Sequence, residues 1–283
     1  MVPGSRRSTL LGMADEVLDP IRLAGLEVLE AGTTTSRHPT PLLFIHGAWH
    51  AAWCWENFLG FFAENGYRAV AVSLRGHGAS AVPKRFRLCS LTDYIDDVES
   101  VIAQLPVAPI LVGHSMGGFI VQKYLQRNDA AAAVLLASAS VRGSRGFAQR
   151  LMRRHPWLMF RNMLTGDAAY GFNTPTVARG LFYSQNTAES DVARYAALVA
   201  NESLRVAFDT FRPIASPESV TTPVLVLGAE LDGAITRAEV DATARAYGGQ
   251  AEIFPDMGHN MMLESGWAEV ARHIDAWLTA RGL

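Results

Sequence analysis

Val112-Gly113-His114-Ser115-Met116-Gly117-Gly118 constrains this chain more than any other stretch. It follows the apolar run Pro109-Ile110-Leu111-Val112 and precedes Phe119, Ile120, Val121, Tyr124 and Leu125, spaced as the buried face of a helix. A strand, a Gly-x-Ser-x-Gly turn and a helix together put a serine on a tight, strained bend. Side chains at 113 and 117 would collide with the adjoining strand and helix, hence the glycines. The bend lifts the Ser115 hydroxyl above the sheet edge. It also aims the Met116 N–H, at the helix start, where negative charge on an oxygen would develop.

A chain of 283 residues is long enough for one large α/β domain or two smaller ones. With 49% apolar and 18% charged residues it can bury a sizeable core, and a formal charge of −2 gives no electrostatic case for nucleic acid. Cys54 and Cys89 form neither a metal-ligand pattern nor a disulfide framework. No stretch approaches the roughly 20 apolar residues of a membrane span. Ser5-Arg6-Arg7-Ser8-Thr9-Leu10-Leu11 faintly echoes a twin-arginine export signal, but Asp15 and Glu16 cut its apolar part short. Residues 1–20 are therefore expected to be a flexible tail, and the protein to be cytoplasmic.

Strand-like and helix-like segments alternate along the chain. Strands are predicted at Leu26 to Glu30, Leu42 to Ile45, Arg68 to Val72, Ala132 to Ala137, Pro223 to Gly228 and Ala251 to Phe254. Helices are predicted from Trp53 to Glu64, from Ser90 to about Gln104, after the capping box Thr236-Arg237-Ala238-Glu239, and over Trp267 to Leu278. Residues 141–220 break this rhythm with prolines, aromatics and no clear strand, which predicts a helical insertion. Alternation implies a mostly parallel sheet flanked by helices, with sites at the carboxyl ends of its strands. Ser115, the His46-Gly47 loop, Asp232 and His259 all follow predicted strands and should meet at one edge.

A serine needs a base, and the base an acid to orient it. His259, in Met257-Gly258-His259-Asn260, has the best context of the eight histidines. Asp232, in Gly228-Ala229-Glu230-Leu231-Asp232-Gly233, is the favoured acid, with Glu230 as its rival. The order Ser115, Asp232, His259 matches one hydrolase architecture. Met116 N–H is one candidate oxyanion donor. Ala48 N–H is the favoured second, with Trp49 as the alternative.

With these residues in place, the sequence resembles the α/β-hydrolase superfamily. The matching pieces are His46-Gly47-Ala48-Trp49, Arg75-Gly76-His77-Gly78-Ala79-Ser80, Gly113 to Gly118, Leu227 to Asp232 and Gly258-His259. The resemblance implies a single α/β-hydrolase core, 21–140 and 221–283, with a helical cap at 141–220 inserted after the sixth core strand. His46 to His50 followed by Trp53-Cys54-Trp55 is similar to small carboxylesterases related to plant methylesterases and hydroxynitrile lyases. Such lyases carry lysine after the catalytic histidine; Asn260 stands there instead. Ser73 replaces an aspartate common before the Arg-Gly loop and is not expected to touch catalysis.

The expected activity is hydrolysis of a carboxylic ester of a small, largely apolar molecule through an acyl-enzyme, without metal or cofactor. Two alternatives stay open. One is the same residues used for C–C hydrolysis, lactone opening or acyl transfer; the other is a ligand receptor without turnover. Monomer and homodimer are both compatible with the sequence. Trp49, His114, Trp157, Phe160, Phe182 and Met261 are candidate pocket residues. Phe147, Met163, Phe172 and Tyr183 join Trp157, Phe160 and Phe182 as insertion aromatics and apolars that could line it, with more than half expected to pack the insertion's own core. Arg142, Arg145, Arg150, Arg153 and Arg154 form either a solvated helix face or a docking site for an anionic substrate or an acyl carrier.

Overall fold

A computed structural model describes residues 20–283. The expected tail and the export-like motif lie outside the described residues, apart from Pro20. Eight strands form one sheet: β1 Ile21–Leu23, β2 Leu26–Ala31, β3 Leu42–Ile45, β4 Ala69–Val72, β5 Ile110–His114, β6 Ala132–Leu136, β7 Val224–Ala229 and β8 Glu252–Phe254. Their order is β1-β2-β4-β3-β5-β6-β7-β8. From β4 to β8 every neighbouring pair is parallel, while β1 and β2 join antiparallel at one edge. β1 was not expected. It has three residues, too few for a readable alternation, and is joined to β2 by a turn with positive φ at Ala24 and Gly25.

Helices α1 Glu56–Glu64, α2 Leu91–Ile102 and α3 Met116–Tyr124 connect the first parallel strands. The first begins later than predicted, because Ala52–Trp55 winds as a tighter 3₁₀ turn. α2 starts with a capping box between Ser90 and Asp93, which satisfies two otherwise unpaired N–H groups. Five helices then separate β6 from β7: α4 Arg145–Arg154, α5 Pro156–Thr165, α6 Pro175–Phe182, α7 Glu189–Ala197 and α8 Leu204–Asp209. α9 Arg237–Ala246 opens with the Thr236–Glu239 capping box, and α10 Trp267–Thr279 closes the chain. Among the described residues no helix is long and apolar enough to cross a membrane.

The sheet is apolar on both faces because side chains alternate across each strand. Leu42 and Phe44 face a layer holding Trp55, Phe58, Phe62 and Ile274. Leu43 and Ile45 face the opposite layer, with Val98, Phe119, Ile120 and Val240. Both faces being covered, the chain's polar chemistry collects at the carboxyl ends of the strands.

Candidate active site

Ser115 sits between β5 and α3 with φ +52° and ψ −116°, a conformation costing a side-chain-bearing residue roughly 1–3 kcal/mol. The neighbours enforce it. Ser115 N donates to Leu136 O at 3.1 Å, and its carbonyl accepts from Phe119 N at 3.2 Å and Ala139 N at 2.9 Å. A Cβ on Gly117 would lie 2.2 Å from Ile45 O and 2.5 Å from His46 O, both backbone atoms that cannot step aside. Gly117→Ala is expected to lower stability by at least about 2 kcal/mol, read as a drop in thermal midpoint. A midpoint unchanged from the parent would show that the strand–turn–helix packing is looser than described.

Three loops converge on this serine. His259 Nε2 lies 2.9 Å from Ser115 Oγ, and His259 Nδ1 lies 2.8 Å from Asp232 Oδ2. Asp232 Oδ1 accepts from Ala234 N at 2.7 Å and Ile235 N at 2.8 Å, so the carboxylate has one orientation. With Nδ1–H given to Asp232, Nε2 is free to accept from the serine hydroxyl. Glu230 points elsewhere, its Oε2 taking Asp256 N at 3.2 Å. The histidine and aspartate side chains are buried.

Ala48 and Met116 border the same cavity, and their backbone N–H groups have no hydrogen-bond acceptor among the described residues. Trp49 differs: its N–H faces Glu202 Oε2 at 3.4 Å, and its φ is +67°. Gly47 allows this loop to approach, since a Cβ there would meet Ser115 Cβ and His114 Nδ1, both at 2.9 Å.

Buried histidines brace the site from behind. His114 Nε2 donates to His259 O at 3.0 Å, and burial drives its pKa far down, so it is neutral. His50 Nδ1 donates to Ala48 O at 2.8 Å, and burial lowers its pKa to about 4. Its unprotonated Nε2 accepts from Asn260 Nδ2 at 3.0 Å, which also reaches Tyr183 Oη at 3.0 Å. The oxyanion-donor candidate Ala48 and the residue after His259 are thus tied to one brace. In the sequence Asn260 stands out only as a missing lysine, and His50 only as the end of the His46 to His50 motif.

A cavity of about 720 Å³ opens above Ser115. Its walls are largely apolar and include Phe147, Leu151, Met159, Phe172, Phe182 and Phe208. Trp49 and Phe182 line it as expected, and the other pocket candidates need correction. His114 and Met261 are buried behind the site rather than facing the cavity, because β5 turns the former inward and Met261 packs in the core. Trp157 and Phe160 lie on the outer face of α5, exposed. Of the seven insertion residues considered, Phe147, Met163, Phe172 and Phe182 line the cavity, more than expected.

Glu202 was not anticipated. It is a buried carboxylate in the loop before α8, on the cavity wall. Its Oε1 accepts from Tyr94 Oη at 2.6 Å and Ser203 N at 2.7 Å, and its Oε2 lies 3.4 Å from His77 Nε2. Burial opposes both charges, yet the facing partner prevails: Glu202 is held below the usual glutamate value and His77 above the usual histidine value. Nothing in the local sequence distinguishes this acid from a surface one.

The likeness to known proteins follows the same residues. The chain is 36% identical over 78 residues to methylesterase 18 of Arabidopsis thaliana, covering 27% of this chain and 29% of that one. It likewise spans only 34% and 26% of the length of two further plant relatives. A non-heme haloperoxidase of Rhodococcus erythropolis is 25% identical over 246 residues, 78% of this chain and 86% of its own. In three dimensions an esterase from Thermogutta terrifontis superposes with a TM-score of 0.75 over 94% of this chain and 100% of its own, at 19% identity, a likeness of fold. The sequence profile of the alpha/beta hydrolase family matches residues 42–273, and the chain, with its eight-stranded sheet and the serine at the β5–α3 bend, belongs to that family.

Proposed function

We propose that this chain is a serine carboxylesterase acting on a small, largely apolar ester. The observation that carries the reading is the hydrogen-bonded series Ser115–His259–Asp232 at the floor of an apolar cavity. Ser115 attacks the ester carbonyl while His259 Nε2 takes its proton. Asp232 holds the imidazole tautomer and stabilises the imidazolium. The N–H groups of Ala48 and Met116 receive the oxyanion, a reading supported by the turn of the Trp49 N–H toward Glu202. His259 returns the proton to the leaving alcohol, and water then cleaves the acyl-enzyme by the same steps.

The cavity walls favour an apolar acyl or alkoxy group, and the methylesterase likeness favours a small leaving alcohol. Helices α4 to α8 act as the cap. The buried, unpaired Cys54 and Cys89 suit a reducing compartment, and we place the enzyme in the cytoplasm. Asn260 is buried away from the cavity, so no charged group stands where cyanohydrin cleavage would require one.

The direct test is intact-mass spectrometry after treatment with a small fluorophosphonate. One adduct is expected, mapping to Ser115 and suppressed by pre-incubation with a short aryl ester. Folded protein that takes up no adduct overturns the assignment and favours a receptor that binds without turnover.

A further inference from the structure

Residues 141–165 contain six arginines and not one aspartate or glutamate, in a chain whose formal charge is −2. Arg150 is spent on Glu239 at 2.7 Å, and Arg161 has Asp167 only at 4.0 Å. No carboxylate among the described residues lies within 4 Å of Arg142, Arg145, Arg153 or Arg154. Beside this cationic stretch, α5 turns an apolar face outward. Trp157 is 81% exposed, Leu164 76% and Phe160 58%, and positions 157, 160 and 164 stand on one side of the helix. Trp157 and Phe160 meet edge to face at 6.2 Å, so the patch is continuous. The mouth of the cavity adjoins it: Arg145, Met152, Met163 and Phe208 are exposed and also line the cavity.

From this combination we infer that the α4–α5 face docks on an anionic lipid surface. Aromatic and leucine side chains enter the boundary between headgroups and acyl chains, and arginines pair with lipid phosphates. A second copy of the chain fits worse, because a two-fold contact sets the same arginines against each other. An acidic protein would meet the charge but leave an outward-projecting row of Trp157, Phe160 and Leu164 without a groove to fill. Docking brings the cavity mouth to the lipid. If the hydrolase reading holds, the ester is then drawn from the membrane rather than from water.

The test is flotation of the full chain with vesicles of phosphatidylcholine alone or mixed with phosphatidylglycerol. Binding to the mixed vesicles is expected to be at least about tenfold tighter and to weaken with salt. Trp157→Ser/Phe160→Ser should lose at least about tenfold in that binding, while hydrolysis of a water-soluble aryl ester stays at the parent level. Arg153→Glu should abolish most of the preference for the anionic vesicles. Equal affinity for both vesicle types, or full binding by the double variant, overturns the inference. So does a wild-type dimer on gel filtration that the double variant converts to monomer. Retention on polyglutamate that matches the anionic vesicles and ignores the double variant assigns the face to an acidic protein instead. Flotation is read without turnover, so its failure leaves the esterase proposal standing, and failure of Ser115 labelling leaves the docking face standing.

Discussion

Ser115→Ala is expected to lower kcat for a short aryl ester at least about a thousandfold, with substrate affinity nearly unchanged. The proposed mechanism routes the covalent bond through Ser115 Oγ, and no other hydroxyl lies within hydrogen-bond reach of His259 Nε2 among the described residues. The substitution keeps Cβ, and the bend is held by backbone bonds to Leu136, Phe119 and Ala139, so the fold loses only one side-chain hydrogen bond, about 1 kcal/mol. Steady-state kinetics beside a thermal melt separates the two effects. A variant that melts like the parent and retains more than about a tenth of its turnover would remove Ser115 from the reaction.

Asp232→Asn should be nearly as damaging, roughly a thousandfold to ten-thousandfold in kcat near neutral pH. The reason lies in the two amides on Oδ1. Ala234 N and Ile235 N hold that oxygen at 2.7 and 2.8 Å and need an acceptor. Asparagine therefore keeps its oxygen there and turns its NH2 toward His259. Nδ1 must then accept, which puts the imidazole proton on Nε2, where it faces the Ser115 hydroxyl and cannot take its proton. Volume and backbone bonds are preserved, so stability should hardly change. A loss under about tenfold in the pH-dependent kinetics would show that the carboxylate neither selects the tautomer nor stabilises the imidazolium.

Much of the fold was legible because its signals are local. The apolar runs that became β3, β5, β6 and β7, the caps at Ser90 and Thr236 and the glycine spacing around Ser115 are each set by a few neighbouring residues. The three residues singled out as nucleophile, base and acid are the ones that the structure joins by hydrogen bonds, because each follows the carboxyl end of a parallel strand. The pocket was read less well. Apolar spacing over 157–164 marks a helix face but not what covers it, and Trp157 and Phe160 face outward. His114 is adjacent in sequence to Ser115, yet its ring is buried and does not line the cavity that Ser115 borders. Glu202 was illegible because its partners, His77 and Tyr94, come from more than 100 residues away.

The insertion is bound to the core unevenly, and this bears on how such a protein can diversify. Ala200 N holds Trp49 O at 2.9 Å, and Ala168 O holds the Trp49 indole at 3.0 Å. Arg150 reaches Ala234 O at 2.6 Å, and Arg154 reaches Gly233 O at 3.2 Å, beside Asp232. Replacing the insertion wholesale would therefore unseat both the loop carrying Ala48 and Trp49 and the loop carrying Asp232. α5 is different, because its hydrogen bonds stay within residues 155–170. A lineage can thus rewrite α5, and with it Met159 and Met163 on the cavity wall, without disturbing Ser115, His259 or Asp232. On the proposed esterase reading, substrate range is free to drift in one helix while the rest of the insertion is inherited with the chemistry.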